Sequence, residues 1–355
     1  MQAAGFRETL HLSNHLPEAE AYKKAGVDID AGNLAVALMA EAVRSTYGPE
    51  VLAGIGAFGG MYAATRLCAM RDPVLVASVD SVGTKVMLAA QAGRWAGIGQ
   101  DIVNHCINDV LVQGAYPLFF LDYIAMPKLD PRVVATIVSG MAEACRAAGC
   151  ALLGGETAEL PGLYQPGQLD VVGTMVGAVE RHAIIDGKRI AKGDVLLGLP
   201  SNGPHTNGYT LIRSVFQGHA LDRYLPELGC TLADALLAPH TSYLPHVQRL
   251  QSGVDVKGLA HITGGGFIDN IPRILPEGLA ALVRRGSWQV PPLFQLIQRL
   301  GAVSEAEMFR VFNMGIGMVA VVPAEEATKA LALAGPGAAL IGEIVPRTQD
   351  AVVFA

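Results

Sequence analysis

Short apolar runs alternate along the chain with segments that are rich in glycine and acidic residues. The apolar runs at residues 74–79, 118–123, 171–179 and 195–199 have the length of buried β-strands. Residues 131–148 instead repeat apolar side chains at helical spacing behind an initial proline, which predicts an α-helix. The pattern therefore predicts an α+β protein.

A break in this pattern divides the chain into two parts. Residues 180–194 are mostly polar and contain Asp186-Gly187 and Lys192-Gly193, which are dipeptides typical of turns. A chain of 355 residues with 51% apolar content is long enough for two domains with separate cores. We expect an extension at residues 1–20, a first domain at residues 21–179 and a second domain at residues 180–355.

The charge pattern argues against binding of nucleic acid. The 26 Lys and Arg residues are scattered and the net charge is −6, so the chain lacks the basic stripe that binds a phosphate backbone. No apolar stretch reaches the ~18 residues of a membrane span. The first twenty residues also lack the apolar run of a secretory signal. We therefore expect a cytoplasmic protein that binds neither nucleic acid nor membrane.

The five cysteines form no C-x-x-C pair, and their odd number argues against a disulfide framework. Cys106 lies among acidic and amide residues and could be interpreted as a nucleophile. No positive group stands beside it to lower the pKa of its thiol. We therefore interpret Cys106 as a buried apolar side chain.

Residues 54–59 match the glycine spacing of a dinucleotide-binding turn, and Asp80 follows about twenty residues later. Such a turn requires a full parallel strand that ends at its first glycine. Gly48-Pro49 leaves only residues 51–53 for this strand. We therefore favour a flexible glycine loop near a ligand or an interface over a dinucleotide site.

Acidic and amide residues recur with glycine in three segments, at residues 80–85, 101–109 and 154–159. Carboxylate and amide oxygens are the ligands that Mg²⁺ prefers, and Mg²⁺ usually reaches a protein together with nucleotide phosphates. The three segments therefore predict an ATP site that has no P-loop.

The second acidic segment falls on a predicted helix over residues 99–112. At helical spacing Asp101, Asn104 and Asn108 share one face, and Asp109 lies at its margin. A solvated helix face is the ordinary interpretation of such residues, but the intervening side chains are apolar. Buried polar groups need partners, so we favour contact with a metal or a nucleotide.

The first and third acidic segments each follow an apolar strand. Asp80 would stand at the end of one strand, with Gly83 in a tight turn and Lys85 as a charge for phosphate. A helix N-cap at Asp80 with Lys85 at the surface explains the first segment equally well. Glu156 and Glu159 repeat the arrangement after a second strand and are candidate cation ligands.

The second half of the chain contains two glycine loops, at residues 201–208 and 263–266, each ahead of a segment that is compatible with a helix. Such loops can direct backbone amides at a substrate phosphate, although ordinary turn chemistry would also account for them. His205 in the first loop could donate to phosphate or move a proton near neutral pH. A turn histidine bonded to backbone is an equally good interpretation of His205.

Taken together, these motifs resemble the phosphoribosylformylglycinamidine cyclo-ligase family, also called aminoimidazole ribonucleotide synthetases. The resemblance extends from about residue 22 to about residue 344, and related enzymes of the same superfamily share single motifs. Ser81 departs from the family, which usually has glycine there, and residues 1–20 have no counterpart. The matching segments are residues 22–33, 80–85, 108–114, 117–122, 154–162, 201–208, 261–266 with Asn270 and Arg273, and 312–318.

The resemblance implies that ATP converts formylglycinamidine ribonucleotide into aminoimidazole ribonucleotide, with release of ADP and phosphate. It also implies a homodimer in which the first domains join their sheets into a β-barrel-like interface, and a second domain with a mixed sheet and flanking helices. Two alternatives are a superfamily kinase that phosphorylates a small molecule, and a non-catalytic nucleotide-binding or scaffold protein.

The resemblance further implies roles for individual residues. The catalytic residues would be Asp109 and His205. The Mg²⁺ ligands would be Asp80, Asp101, Asp109, Glu156 and Glu159. The ATP contacts would be Lys23, Asp80, Gly83, Thr84, Lys85, Asn108, Gly154 and Gly155, with Asp28 beside Lys23. The substrate contacts would be His205, Asn207, Gly208, Thr263, Gly264, Gly265 and Gly266.

Overall fold

The structure is a computed structural model that describes residues 20–355. The extension expected at residues 1–20 therefore lies, apart from Glu20, outside the described residues. Along the rest of the chain, helices and strands alternate in both halves, so the predicted mixture of helix and sheet is confirmed.

From residue 20 onward, the first half contains six α-helices and six strands. In chain order they are α1 (Glu20–Lys24), α2 (Ile29–Arg44), β1 (Val51–Ala53), β2 (Met61–Tyr62), α3 (Thr65–Cys68), β3 (Pro73–Ser81), α4 (Lys85–Ala92), α5 (Ala96–Leu111), β4 (Tyr116–Met126), α6 (Pro131–Ala148), β5 (Ala151–Glu159) and β6 (Asp170–Glu180).

The second half adds eight strands and seven helices. They are β7 (Val195–Pro200), α7 (Tyr209–Val215), β8 (Tyr224–Leu225), β9 (Cys230–Thr231), α8 (Leu232–Leu236), α9 (Leu244–Gln251), β10 (Gly258–His261), α10 (Gly266–Asn270), β11 (Leu279–Val283), α11 (Pro292–Gly301), α12 (Glu305–Val311), β12 (Ile316–Val322), α13 (Ala327–Ala334), β13 (Ala339–Pro346) and β14 (Val352–Phe354).

The first sheet has the strand order β3-β6-β4-β5, in which only the β4–β5 pair is parallel. Alternation along β3 gives the sheet two different faces. Ser78 and Asp80 face α5, where they contact Asp109 and His105. Leu75 and Val79 point the other way and are 59% and 65% exposed. One face of this sheet is therefore covered by helices, while the other presents apolar side chains.

The second sheet is mixed and has the order β10-β12-β7-β13-β11-β14. All of its neighbouring strands are antiparallel except β11 and β14. Every residue of β12 is buried, as expected for a strand near the middle of a sheet whose two faces are covered. The predicted mixed sheet of the second half is therefore present.

The four strands and the helix predicted from apolar patterns are confirmed in β3, β4, β6, β7 and α6. The boundaries of α6 follow from local chemistry. The Asp130 carboxylate accepts from the backbone amides of Arg132 and Val133 at 2.9 and 3.3 Å, which caps the first turn. Gly149 ends the helix at a φ of 69°.

The glycine loop at residues 54–59 is not a dinucleotide-binding turn. The strand before it, β1, has three residues and pairs antiparallel with β2. A dinucleotide fold needs a parallel strand at this point. The structure therefore agrees with the prediction that this loop is not a dinucleotide-binding turn. Among residues 20–355, no helix is both long and apolar enough to cross a membrane.

Two glycines allow α5 and α6 to cross at close range. A Cβ on Gly99 would lie 1.9 Å from the Ile137 carbonyl oxygen, and one on Gly140 would lie 2.0 Å from the Ala96 carbonyl oxygen. Any larger residue must push the helices apart, and α5 carries several candidate site residues. The glycines therefore fix where these residues stand above the sheet.

We expect Gly99→Ala to lower the free energy of unfolding by about 1–3 kcal/mol, because the added methyl group meets backbone that cannot move aside. Denaturant-induced unfolding would measure the change. The matched control is Gly32→Ala in α2, where an added Cβ meets nothing within 4 Å. Equal stability of the Gly99 and Gly32 variants would contradict the close crossing.

Candidate active site between the two halves

The polar face of α5 is bonded to the backbone of the second half. Asp101 accepts from the amide of His240 at 2.7 Å. Asn104 donates to the His240 carbonyl at 2.7 Å. Asn108 donates to the Thr241 carbonyl at 2.8 Å and accepts from the Tyr243 amide at 2.9 Å. The sequence predicted that the polar side chains on this face need partners. In the structure these partners are backbone groups of the second half, so the hydrogen bonds join the two halves.

Lys85 completes this junction from the start of α4. Its side chain is fully buried, and its ammonium lies 2.8 Å from Asp101. The ammonium also donates to the carbonyls of His205 at 3.0 Å and Ala238 at 2.8 Å. Lys85 and Asp101 thus neutralise each other between the halves. Their predicted roles toward phosphate and metal, and that of Asn108 toward ATP, remain predictions.

Burial opposes charge on both members of this pair. It lowers the pKa of Lys85, and the Asp101 charge only partly offsets this. It also raises the pKa of Asp101 to about 6, although the Lys85 ammonium acts in the opposite direction. The Lys85 ammonium therefore has three acceptors and Asp101 Oδ1 has two donors, whereas Asp101 Oδ2 has only the ion pair with Lys85 among the described residues.

Asp80 and Asp109 are brought together at the margin of this face of α5, beside two histidines. Nε2 of His105 lies 2.9 Å from Asp80 Oδ2 and 3.6 Å from Asp109 Oδ2. Nδ1 of His261, at the end of β10, lies 2.8 Å from Asp109 Oδ1. The Asp80 and Asp109 side chains are 40% and 26% exposed, so this cluster borders solvent. Carboxylates from the first half and an imidazole from the second meet here.

The two histidines are also connected to each other through the second half. Thr206 Oγ1 lies 2.8 Å from His105 Nδ1 and 3.4 Å from His240 Nδ1. His240 Nε2 in turn lies 3.0 Å from His261 Nε2. A continuous set of polar contacts therefore runs from Asp80 to Asp109 through residues of both halves.

The imidazoles keep both carboxylates ionised. Burial would raise the pKa of Asp80, but the hydrogen bond and charge of His105 outweigh it, so this pKa is lowered. The same balance, with His261 as the main partner, lowers the pKa of Asp109. In return, the bond to Asp80 and the charge of Asp109 raise the pKa of His105 against the effect of burial. The cluster is therefore anionic at its solvent-facing edge near neutral pH.

His205 is buried beside this cluster with a strained backbone. Its φ is 60°, a left-handed value that is uncommon outside glycine. Its ring stacks on His240 with 4.0 Å between centres and 22° between planes. Neither ring nitrogen has a hydrogen-bond partner among residues 20–355, so the alternative of a histidine bonded through its ring to backbone is not seen.

Burial, reinforced by the charges of His261 and Lys85, holds the pKa of His205 well below its usual range. The ring is therefore neutral near pH 7 and carries one donor and one acceptor that no described residue uses. This is the pattern expected of a group that meets a ligand.

The two glycine loops of the second half lie against each other. The Asn207 side-chain oxygen is 3.3 Å from the place that a Cβ on Gly264 would occupy, and the Asn207 amide nitrogen is buried without a partner among the described residues. The Asn270 amide donates to the carbonyls of Gly264 at 3.2 Å, Gly266 at 2.8 Å and Thr263 at 3.3 Å. These bonds hold the carbonyls of the second loop inward.

Packing accounts for part of the glycine content of these loops. Gly208 has a φ of 76° and faces Phe312, which a Cβ would approach to 2.2 Å. Gly266 has a φ of 56°, and a Cβ there would lie 2.0 Å from the Phe309 carbonyl. Gly265, with a φ of 91°, is the N-cap of the five-residue helix α10. Close approach of protein groups therefore explains two of these glycines without a ligand.

The remaining predicted acids lie elsewhere on the first sheet. Glu159 accepts from the amides of Asp28 at 2.6 Å and Leu129 at 2.9 Å. Asp28 is also 3.0 Å from the Lys23 ammonium. Glu156 is exposed and pairs with Tyr123 on the sheet face opposite to Asp80. The structure thus brings together Asp80 and Asp109, and places Glu156 and Glu159 apart from them.

A cavity of about 630 Å³ lies beside Glu156, between β5 and the glycine loop at residues 54–60. Gly154, Gly155 and Asp122 line it as well. Burial, followed by the charge of Glu156, raises the pKa of Asp122 to about 7. The volume is within the range of small-molecule sites. Thr84, which follows the Gly83 turn, does not line this cavity. Its hydroxyl lies 3.3 Å from that of Thr210 in the second half.

Sequence reasoning missed four residues of the cluster, namely His105, Thr206, His240 and His261. The spacing of His105 and Asp109, four residues apart on one helix, was a usable signal. His261 stands just ahead of the second glycine loop, which was also a signal. His240 follows Pro239 in an irregular segment, and no local pattern marks it.

Two family models match this chain. Residues 63–179 match the family "AIR synthase related protein, N-terminal domain", and residues 191–355 match "AIR synthase related protein, C-terminal domain". The chain is therefore an AIR synthase related protein in both halves.

Relatives at higher identity define the family more closely. A phosphoribosylformylglycinamidine cyclo-ligase of Desulfitobacterium hafniense (strain DSM 10664 / DCB-2) is 54% identical over 92% of this chain and 97% of its own. The protein of that name from Geobacter sulfurreducens is 50% identical over 91% and 94%. The chain belongs to the phosphoribosylformylglycinamidine cyclo-ligase family.

Two solved structures share the fold at low identity. E. coli HypE has a TM-score of 0.68 at 23% identity and covers 91% of this chain and 93% of its own. Thiamine-monophosphate kinase from Stenotrophomonas maltophilia K279a has a TM-score of 0.67 at 17% identity, with coverages of 89% and 95%. These likenesses establish the fold alone.

We expect Lys85→Met to lower the free energy of unfolding by about 3–5 kcal/mol, because it leaves the buried Asp101 carboxylate unpaired. A Lys85→Met/Asp101→Leu double variant should regain much of this loss, and denaturant-induced unfolding would compare the two. Unchanged stability of Lys85→Met together with lost ATP binding would instead place the ammonium on phosphate.

Proposed function

We propose that this chain uses ATP to close the ring of formylglycinamidine ribonucleotide, giving aminoimidazole ribonucleotide, ADP and phosphate in purine biosynthesis. The single observation that carries the proposal is the 54% identity to a named cyclo-ligase over 92% of the chain. The cluster of ionised carboxylates and a neutral, unbonded histidine between the halves is consistent with it.

The chemistry explains why the site needs charges more than a nucleophile. The formyl oxygen is a poor leaving group, so it first takes the γ-phosphoryl group of ATP and ADP departs. The ribose-linked nitrogen then attacks the formyl carbon, and the oxygen leaves with the phosphate as the ring closes. Such transfers depend on positioning and on neutralisation of phosphate charge.

We assign Asp80 and Asp109 to the cation that accompanies ATP. They fit this role because both stay ionised and border solvent. Mg²⁺, when bound there, would offset phosphate charge during the transfer. Gly154, Gly155 and Glu156 are proposed to lie toward the nucleotide, because they line the 630 Å³ cavity beside β5. Lys23 and Glu159 are assigned to the nucleotide and its cation from the family resemblance alone. Gly83 and Thr84, in the turn between β3 and α4, are also assigned to ATP.

We assign the formylglycinamidine nucleotide to the second half. The ring nitrogens of His205 have no partner in the described part of the chain and could meet a polar group of the substrate or a proton. The buried Asn207 amide nitrogen, which has no described partner either, supports a further ligand contact. Gly208 and the loop of Thr263, Gly264, Gly265 and Gly266 would offer backbone amides to the 5′-phosphate. The short helices behind both loops add little dipole.

A product assay tests the reaction. Purified protein with ATP, Mg²⁺ and formylglycinamidine ribonucleotide should release inorganic phosphate and form the five-membered ring amine. A small-molecule kinase, the alternative enzyme class, would instead retain the phosphoryl group on its product. A scaffold protein would show no turnover.

In the same assay Asp109→Asn should lower kcat by at least about 100-fold, because one of the charges that offsets phosphate and cation is removed. Circular dichroism and the melting temperature should remain close to those of the parent. Asp222→Asn, at an exposed acid of the second half, is the matched control and should retain full activity. Near-normal turnover of Asp109→Asn would contradict the assignment.

We also propose that the protein is a homodimer in which the open faces of two first sheets meet as a β-barrel-like interface. Leu75 and Val79 are more than half exposed on this face, and apolar surface of this kind marks interaction sites. Because the reaction consumes ATP and a purine precursor, we place the enzyme in the cytoplasm.

We expect Val79→Glu to convert the dimer to a monomer, because two carboxylates would be buried across the two-fold axis. Light scattering after size exclusion would show the molar mass fall by about half. Leu300→Glu, at a 46% exposed position in α11 of the second half, is the control and should stay dimeric. A parent protein with the mass of one chain at micromolar concentration would end this proposal.

A further inference from the structure

Two imidazoles converge on the carboxylates of the candidate site. Nε2 of His105 lies 2.9 Å from Asp80 Oδ2 and 3.6 Å from Asp109 Oδ2, and Nδ1 of His261 lies 2.8 Å from Asp109 Oδ1. One donor atom each from His105, Asp109 and His261 lies within 4.8 Å of the other two. Nitrogen and oxygen donors thus surround a small volume at the junction of the halves.

These separations suit hydrogen bonds and are also compatible with ligands around one ion. Neighbouring donor atoms of a six-coordinate cation with bonds of about 2.1 Å stand about 3.0 Å apart. The three measured contacts of 2.8, 2.9 and 3.6 Å bracket this distance. Small shifts of the side chains would therefore admit an ion in place of the hydrogen bonds.

The outer nitrogen of each ring is held by a further contact. His105 Nδ1 lies 2.8 Å from Thr206 Oγ1, and His261 Nε2 lies 3.0 Å from His240 Nε2. Metal-binding histidines characteristically use their second nitrogen in this way, which fixes the ring and the tautomer. The carboxylates border solvent, so an ion has a path to the site.

The chemistry of the donor atoms determines which metal ions this group of residues prefers. Carboxylates alone suit Mg²⁺, whereas imidazole nitrogen favours first-row transition metals. We infer that His105, Asp109 and His261, with Asp80 beside them, bind a divalent transition-metal ion such as Co²⁺ in the absence of nucleotide. The inference shares Asp80 and Asp109 with the proposed reaction but is measured without ATP or substrate, so either can fail alone.

A second group of three histidines, His205, His240 and His261, is less suited to an ion. Their nitrogens also approach within 4.8 Å of one another. The His205 and His240 rings, however, are stacked with 22° between their planes. Lone pairs of imidazole lie in the ring plane, so those of two stacked rings lie in nearly parallel planes and do not converge on one ion.

The test is a titration of nucleotide-free protein with Co²⁺, followed by visible absorption and by metal content after dialysis. One ion per chain should bind, and Mg²⁺ at equal concentration should not displace it. His105→Ala should weaken binding by at least about tenfold, since loss of even a supporting group costs this much. His182→Ala, at an exposed histidine outside the cluster, should leave binding unchanged.

Asp80→Asn provides a second variant, in which the side-chain shape is kept, and should also weaken Co²⁺ binding if His105→Ala fails to fold. The inference is overturned if Co²⁺ does not bind stoichiometrically, or if it binds equally to the parent, His105→Ala and Asp80→Asn. It is also overturned if His205→Ala abolishes binding while His105→Ala retains it, because the ion would then occupy the three-histidine group.

Discussion

The contact between helix α5 and residues 238–243 determines the geometry of the whole candidate site. Asp101, Asn104 and Asn108 bond four backbone groups of that segment at 2.7 to 2.9 Å. His240 is thereby held against the same helix that carries His105 and Asp109. Because β10 lies next to His240 through the 3.0 Å contact with His261, the position of the second half relative to Asp109 follows from these bonds.

This junction contains two kinds of charged group. One kind is buried and holds the halves together, and the other kind borders solvent and can meet a ligand. The Lys85 ammonium pairs with Asp101 and donates to two carbonyls of the second half, so the charges of Lys85 and Asp101 serve to join the halves. Asp80 and Asp109 are paired with imidazoles and remain open to solvent. Within residues 20–355, His205 combines a left-handed backbone with two ring nitrogens that have no hydrogen-bond partner. Strain and unsatisfied polar atoms are costly, and their coincidence at one residue indicates a binding role.

The sequence could predict what depends on neighbours along the chain. Apolar runs located β3, β4, β6 and β7, and helical spacing put Asp101, Asn104 and Asn108 on one face that needs partners. The identity of those partners depends on contacts more than 130 residues apart, which no local pattern encodes. Glu156 and Glu159 show the opposite case. They are three residues apart on one strand, so the alternation of strand side chains already implied that they face opposite ways.

The division of the cluster between the halves has a thermodynamic consequence. Asp80, His105 and Asp109 come from the first half, while Thr206, His240 and His261 come from the second. Any ion or nucleotide that touches both groups binds the assembled arrangement and not the separated halves. Its binding free energy is therefore added to the stability of the junction. The buried Lys85–Asp101 pair and the ligand thus act on the same equilibrium, which makes the interface between the halves part of the active site rather than a support for it.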